Sequence, residues 1–282
     1  ETPEMDKDNA YAYRMEIARD TKQISTNASY TEVGASFNPE MGYLKRENYR
    51  KWSGRIFTRF RPENKFGLLE IRPHVNYDGY WKLDGFQESG RWHIVNHWGF
   101  RSGFEIHTGT NLVKEGVIEV FEISDSVFVS AGTYDDQEIQ IMIMTNQAKP
   151  ISFSSMNRIG GFFGGDRINM TPTVRLRYKD RFTSEFSFNF NKVNLPGGNF
   201  TTNLLRARLT YSFTPKMYIQ SLLQYNNQSD QWSMNWRFIW QRSAGTGLYL
   251  VYNQVQDYDG IPIEKSTKSF VVKYSYLFDA LN

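Results

Sequence analysis

The sequence has 282 residues and no cysteine, which excludes disulfide bonds and thiolate chemistry. It has no run of 18 apolar residues, so it predicts no transmembrane helix. The formal net charge is only +3 and the basic residues are scattered singly, a pattern that does not indicate nucleic-acid binding. With only four histidines, no spacing pairs a nucleophile with a base, and no glycine-rich stretch precedes a helix. The sequence therefore predicts neither an enzyme nor a cofactor.

Aromatic residues are abundant although the chain is hydrophilic on average. Phe, Trp and Tyr make up 16% of the residues, yet the mean hydropathy is -0.57. A transmembrane β-barrel has this profile, because only alternate residues of each strand face lipid and aromatic girdles mark the two membrane interfaces.

The segment from Gln231 to Gln241 shows the pattern most clearly. Its even positions are Trp232, Met234, Trp236, Phe238 and Trp240, whereas its odd positions are mostly polar. This alternation predicts a strand with two unlike faces. A soluble sandwich would cover the apolar face with a second sheet, and an outer-membrane barrel would turn it toward lipid.

The same alternation recurs along the chain and predicts about 15 strands, each long enough to cross a bilayer at the usual tilt. Their expected spans are 10–19, 21–33, 49–61, 66–78, 90–109, 116–130, 137–146, 150–162, 167–178, 181–191, 201–213, 216–226, 231–241, 247–257 and 266–278. The fold class predicted is all-β, an antiparallel transmembrane β-barrel of the outer-membrane type. Residues 1–9 are expected to be an upstream segment or linker, and residues 10–282 the barrel.

Short and long connections are predicted to alternate, as in bacterial barrels. Expected short turns are 61–65, 179–180, 214–215 and 243–245, and expected long loops are 34–48, 78–89, 193–200 and 257–265. An odd strand count puts the first and last strands in the same direction, so they could not close a barrel antiparallel. At least one strand is therefore expected upstream. No signal peptide opens the chain, which favours a mature product, a fragment or a soluble protein.

Polar side chains on the strands are predicted to line the lumen. The candidates are His74, His93, His97, Arg101, Glu105, His107, Arg175, Arg177, Arg206, Arg208, Arg237 and Lys273. All four histidines are expected on this face, but residues four apart on a strand are about 13 Å apart, too far to share one metal ion. Only a cross-strand pair such as His74 with His93 could approach, and no metal site is predicted.

The basic residues of this face allow two interpretations. A ring of them could favour anionic solutes. Alternatively, pairs of Arg and Glu brace a narrow lumen, with Glu185 and Glu105 as available partners. The second interpretation is favoured.

Five tryptophans are assigned to the lipid side: Trp92, Trp98, Trp232, Trp236 and Trp240. Eight residues of strand span about 26 Å, or near 20 Å of height at a tilt of about 40°. Trp232 and Trp240 are therefore expected at the two interfaces, with Trp236 between them in lipid.

Several segments also resemble an uncharacterised outer-membrane barrel family. They are Ser36–Leu44 followed by Arg46 and Tyr49–Arg50, then Asn194–Thr202, Leu223–Asn227 and Leu248–Asn253, in matching order from about Phe37 to Phe278. Members of that family typically carry a family-9-like carbohydrate-binding module ahead of a large C-terminal barrel. The resemblance implies the barrel part, an outer-membrane location, and a module that this chain does not include. The family brings no established activity, so no catalytic residue is transferred.

The function predicted is that of a bacterial outer-membrane barrel, a pore or transport component that contacts outer-membrane lipids. The alternative is a barrel with a plugged lumen that serves as an anchor or platform for polysaccharide or another envelope protein. A third interpretation is a soluble β-sandwich binding protein, in which the apolar faces would cover each other.

Overall fold

A computed structural model describes residues 9–63, 65–257 and 266–278. The described residues form seventeen strands: β1 (Ala12–Asp20), β2 (Ile24–Val33), β3 (Tyr49–Thr58), β4 (Leu68–Lys82), β5 (Gln87–Phe100), β6 (Glu105–Val117), β7 (Phe121–Ser124), β8 (Val127–Val129), β9 (Gly132–Met144), β10 (Ile151–Phe162), β11 (Gly165–Tyr178), β12 (Phe182–Leu195), β13 (Gly198–Thr214), β14 (Met217–Asn226), β15 (Gln231–Ser243), β16 (Thr246–Asp257) and β17 (Ser266–Ser275).

Fifteen of these strands form one antiparallel sheet in chain order, interrupted only where the separate hairpin β7–β8 stands between β6 and β9. The predictions of an all-β chain and an antiparallel sheet are confirmed. Within the described residues, β1 and β17 are the end strands of the sheet and do not pair with each other. The same part of the chain contains no helix of the length and apolar character needed to cross a membrane.

The expected count of fifteen is met through two errors that offset each other. The predicted strand 90–109 is two strands, β5 and β6, joined by a turn at residues 101–104 in which Gly103 has a φ of 82°. The predicted strand 116–130 does not exist as one element, since it covers the end of β6 and the hairpin β7–β8. The alternation continues across the turn because Gly99 pairs with Glu105, so that an odd number of residues separates paired positions and even-numbered residues stay on one face. The sequence therefore reads as a single strand.

The connections match the predicted alternation in part. The short turns after β11, β13 and β15 and the long loop 34–48 are present. Two predicted long loops are wrong: β4 extends to Lys82 and β5 begins at Gln87, while only residues 196–197 separate β12 from β13. The expected loop 257–265 and the segment 1–9 lie, apart from Asp257 and Asn9, outside the described residues.

The chain divides into two compact units. Unit 1 comprises Glu1–Met142, Arg158–Arg167 and Val193–Phe200, and unit 2 comprises Ile143–Asn157, Ile168–Lys192 and Thr201–Asn282. Several strands of the middle of the chain contribute to both units.

In unit 1, strand pairing fixes which residues share a face, because directly opposed residues of an antiparallel pair point the same way. One row across β1–β6 runs through Ile17, Ala28, Gly54, Tyr77, Trp92 and Leu112. The next row runs through Ala18, Asn27, Arg55, Asn76, His93 and Asn111. Unit 1 therefore has an apolar face and a polar face, and Trp92 and His93 lie on opposite ones.

Unit 2 shows the same division across β13–β17. Its apolar face carries, among others, Leu205, Tyr211, Leu223, Tyr225, Trp232, Trp236, Trp240, Tyr252, Leu250 and Phe270. Its polar face carries Arg206, Arg208, Gln220, Gln224, Asn235, Asn253 and Ser269. Among the described residues of unit 2, no apolar side chain is buried. The aromatic side chains of this face are instead largely exposed.

A small hydrophobic core lies in unit 1, at the strand ends where a turn joins β12 to β13. Val127 and Val129 of β8 pack against Val193 and Leu195 of β12, and Val193 is 0% exposed. The odd-numbered residues of β12 share one face, and Glu185 and Asn189 identify it as the polar one. Val193 and Leu195 are also odd-numbered and therefore lie on the polar side. The hairpin β7–β8 therefore covers the polar side of the sheet at this end.

The turn between β12 and β13 packs closely against the hairpin β7–β8. A Cβ atom at Gly197 would lie 2.7 Å from the carbonyl oxygen of Phe128. Only glycine permits so close an approach of the two backbones.

Candidate functional site: the polar face

The polar face of unit 1 holds two contiguous groups of charged and polar side chains. The first, termed the histidine cluster, consists of Arg72 and His74 on β4, His97 on β5, and Glu105 and His107 on β6. The second, termed the Glu138 network, consists of Arg91, His93, Asn111, Glu138, Gln140, Arg158 and Arg167 on β5, β6, β9, β10 and β11. These groups are the best candidates for a functional site.

The histidine cluster is assembled by the pairing of β4, β5 and β6. His97 is opposite His107 and also opposite Arg72, so all three side chains point the same way. The rings of His97 and His107 are stacked with centroids 3.4 Å apart, and the His74 ring is edge-on to His97 at 4.7 Å. The Nε2 atom of His107 lies 2.6 Å from Oε1 of Glu105. Arg72 also donates a hydrogen bond to Glu105.

Glu138 is the centre of the second group and is 5% exposed. It accepts a hydrogen bond from the amide of Asn111 at 2.7 Å and one from the guanidinium of Arg167 at 2.8 Å. The Nε atom of Arg158 lies 3.9 Å from the same carboxylate and donates to Gln140 at 3.2 Å. A buried carboxylate needs such partners, because an unpaired charge in a low-dielectric environment is costly.

Asn111 connects this carboxylate to β5. Its side chain is fully buried, and its carbonyl oxygen accepts from Arg91 at 3.0 Å and lies 2.6 Å from Nδ1 of His93. A cavity of about 300 Å³ opens beside these groups and is lined by Asn76, Asp78, Arg91, His93, Gln140 and Arg158. The guanidinium groups of Arg158 and Arg167 thus lie near one buried carboxylate, and those of Arg91 and Arg158 line a small polar cavity.

The basic residues of unit 2 are arranged differently. Arg175 pairs with Glu185, its guanidinium donating at 2.6 Å. Within the described residues, Arg177, Arg206, Arg208, Arg237 and Lys273 form no ion pair, and Arg237 donates only to Asn235 at 2.7 Å. The ion pairs of unit 1 fit the interpretation in which Arg and Glu pairs brace the polar face. In unit 2, by contrast, these five basic residues form no ion pair within the described part of the chain.

The structure therefore brings together part of the predicted set of site residues. His74, His97, Glu105 and His107 form one cluster, and His93 belongs to the Glu138 network. Arg101 lies in the exposed turn between β5 and β6 and not on a strand. Both predicted acidic partners, Glu105 and Glu185, accept hydrogen bonds from arginines. The five tryptophans lie on β5 and β15, and Trp98 donates a hydrogen bond to Thr108.

Sequence reasoning missed Asn111, Glu138, Arg158 and Arg167 entirely. They come from four different strands, and their spacing along the chain carries no motif. The alternation within each strand indicates the face of each residue, but the register between strands decides which residues meet.

One buried carboxylate lies on the apolar face. Glu32 accepts hydrogen bonds from the hydroxyls of Tyr11, Tyr13 and Tyr30 and from Arg50. The hydrogen bond that Tyr11 donates to Glu32 raises the pKa of Tyr11, because ionisation would remove the donor and place a phenolate beside a carboxylate.

No model of a known protein family matches the chain, and no functionally curated protein matches it.

Proposed function

We propose that the chain forms a bacterial outer-membrane β-barrel, with its apolar face toward lipid and its polar face lining a wet interior, and that it serves as a pore or transport component. The observation that supports this best is the apolar face of unit 2. Trp232, Trp236 and Trp240 are exposed on it, and no described apolar side chain of that unit is buried. A soluble sandwich of this size would need a buried core between its sheets.

Closure of the barrel is part of the proposal. A sheet with an odd number of strands cannot close with antiparallel pairing throughout, as bacterial outer-membrane barrels do, since its first and last strands run in the same direction. The fifteen strands of the sheet therefore need an odd number of further strands to close. The resemblance to a barrel family with a preceding module is consistent with additional chain upstream.

The charge of the polar face suggests the class of solute. Five basic residues of unit 2 have no ion pair among the described residues, whereas the acidic groups Glu105, Glu138 and Glu185 are all engaged. Unpaired cations lining a water-filled interior favour anions over cations. The pore is therefore proposed to prefer anionic solutes.

Planar-bilayer recording tests the pore. The full-length protein, purified in detergent, is expected to insert and give discrete conductance steps, and the reversal potential in a KCl gradient is expected to show a preference for chloride. Repeated insertion without conductance steps would contradict an open pore. Soluble expression as a monodisperse species without detergent would contradict the membrane assignment itself.

A second function is favoured by the hairpin β7–β8, which covers the polar side of the sheet at one end. If the hairpin closes that mouth, the barrel acts as an anchor or platform for another envelope protein or a polysaccharide. Co-purification of a partner at fixed stoichiometry, together with absence of conductance, would support this alternative.

The hairpin itself can be tested by substitution. Val129→Thr places a hydroxyl in the apolar core formed with Val127, Val193 and Leu195, and is expected to cost about 1–3 kcal/mol in the docking of the hairpin. The expected results are faster protease cleavage in residues 121–129 and a higher conductance.

Phe128→Thr is the matched control, since Phe128 lies on the same strand but is 51% exposed. It is expected to leave cleavage and conductance unchanged. Equal changes in both variants would show that the valines do not hold the hairpin.

A further inference from the structure

Three side chains of the histidine cluster form a set of metal-ligand type. One ligand atom from each of His97, Glu105 and His107 can be chosen so that all three lie within 4.8 Å of one another. Oε1 of Glu105 is 2.6 Å from Nε2 of His107 and 3.9 Å from Nδ1 of His97. Ligand atoms bound at about 2.0–2.1 Å to a tetrahedral ion are about 3.4 Å apart. Rotations of the side chains that unstack the two imidazoles would bring the three atoms onto one ion.

The backbone holds these residues in place. His97 and His107 are directly opposed on β5 and β6, and Glu105 is two residues before His107 on the same face. Two imidazoles and one carboxylate from neighbouring strands approach an ion from one side, which leaves its other positions open for water or a solute. The ring of His74, 4.7 Å from that of His97, is near enough to be a fourth ligand after rotation.

Arg72 is the cation that a metal ion would have to displace. It donates to Glu105, but its Nε atom also lies 3.3 Å from Oε1 of Glu70. Arg72 therefore keeps a carboxylate partner when Glu105 turns to a metal. The site can exchange one cation for another without leaving a guanidinium unpaired.

We infer that His97, Glu105 and His107 bind a divalent transition-metal ion, with Zn²⁺ as the representative. Two nitrogen ligands favour Zn²⁺, Cu²⁺, Ni²⁺ or Co²⁺ over Ca²⁺ and Mg²⁺, which prefer oxygen ligands only. The inference depends on the pairing of β4, β5 and β6 and does not require an open pore.

Titration calorimetry on the untagged full chain in detergent, after removal of metals, tests the site. Zn²⁺ is expected to bind with a stoichiometry of one ion per chain. His107→Gln and Glu105→Gln remove a ligand and are each expected to weaken binding by at least about tenfold. Lack of Zn²⁺ binding by the native chain would overturn the inference.

His93→Gln is the matched control, because His93 lies on the same face of β5 but its Nδ1 atom contacts Asn111 and Arg91. Its ring approaches the cluster only at His74, with centroids 5.4 Å apart, and it touches none of the three proposed ligands. It is expected to leave Zn²⁺ affinity unchanged. An equal loss in His93→Gln and His107→Gln would overturn the site as assigned.

A measurement on the native chain covers the case in which a variant does not fold. Electron paramagnetic resonance of the chain with one equivalent of Cu²⁺ is expected to show couplings to two imidazole nitrogens. A spectrum without nitrogen couplings would overturn the inference independently of any substitution.

Discussion

Glu138→Ala is expected to lower the free energy of unfolding by about 3–5 kcal/mol, the range seen when one partner of a buried ion pair is removed. Glu138 is 5% exposed and accepts hydrogen bonds from Asn111 and Arg167. Its removal leaves the fully buried amide of Asn111 without this acceptor and the guanidinium groups of Arg158 and Arg167 without their carboxylate partner. Equilibrium urea unfolding in detergent or vesicles, followed by circular dichroism, measures the loss.

Glu185→Ala provides the comparison, since it also removes a carboxylate from an arginine. The side chains of Arg175 and Glu185 are 42% and 26% exposed, so water can replace the lost partner. The expected loss is about 0–1 kcal/mol. Losses of equal size at positions 138 and 185 would show that the Glu138 network is not buried as the structure has it.

The all-β class and the antiparallel sheet could be predicted from the sequence, because apolar and polar residues alternate with the two-residue period of a strand. Trp92 and His93, for example, are assigned to opposite faces by alternation, and strand pairing shows the same division. The turn at residues 101–104 could not be seen, since it preserves that alternation. The hairpin β7–β8 was missed because its valines serve a local core instead of a sheet face.

The candidate sites depend on register, which alternation does not provide. The distance of about 13 Å between residues four apart applies within one strand, and it says nothing of residues on different strands. His97 meets His107 only because the chain reverses between them, and the sequence presented both on one supposed strand. In the same way Asn111 meets Glu138 across 27 positions of the chain.

Trp236→Arg is expected to cost about 2–4 kcal/mol of folding stability in a bilayer, the depth-dependent cost of a cation at the midplane of a barrel's lipid face. Trp236 is 50% exposed on the apolar face, opposite Ser221 and Tyr252, at the middle of β15. Trp232→Arg, nearer one end of the strand, is expected to cost only about 0–1 kcal/mol, because a cation near the interface reaches water. Urea-dependent folding into lipid vesicles measures both.

Ser233→Arg is the control for the other face. Ser233 lies on the polar face between Gln224 and Val255, so an arginine there is expected to remain in water with little change in stability. It is a cleaner control than Asn235→Arg, which would also remove the acceptor of the hydrogen bond from Arg237. A loss of stability in Ser233→Arg as large as that in Trp236→Arg would contradict the assignment of the two faces. Equal small losses of stability at positions 232, 233 and 236 would mean that neither face meets lipid.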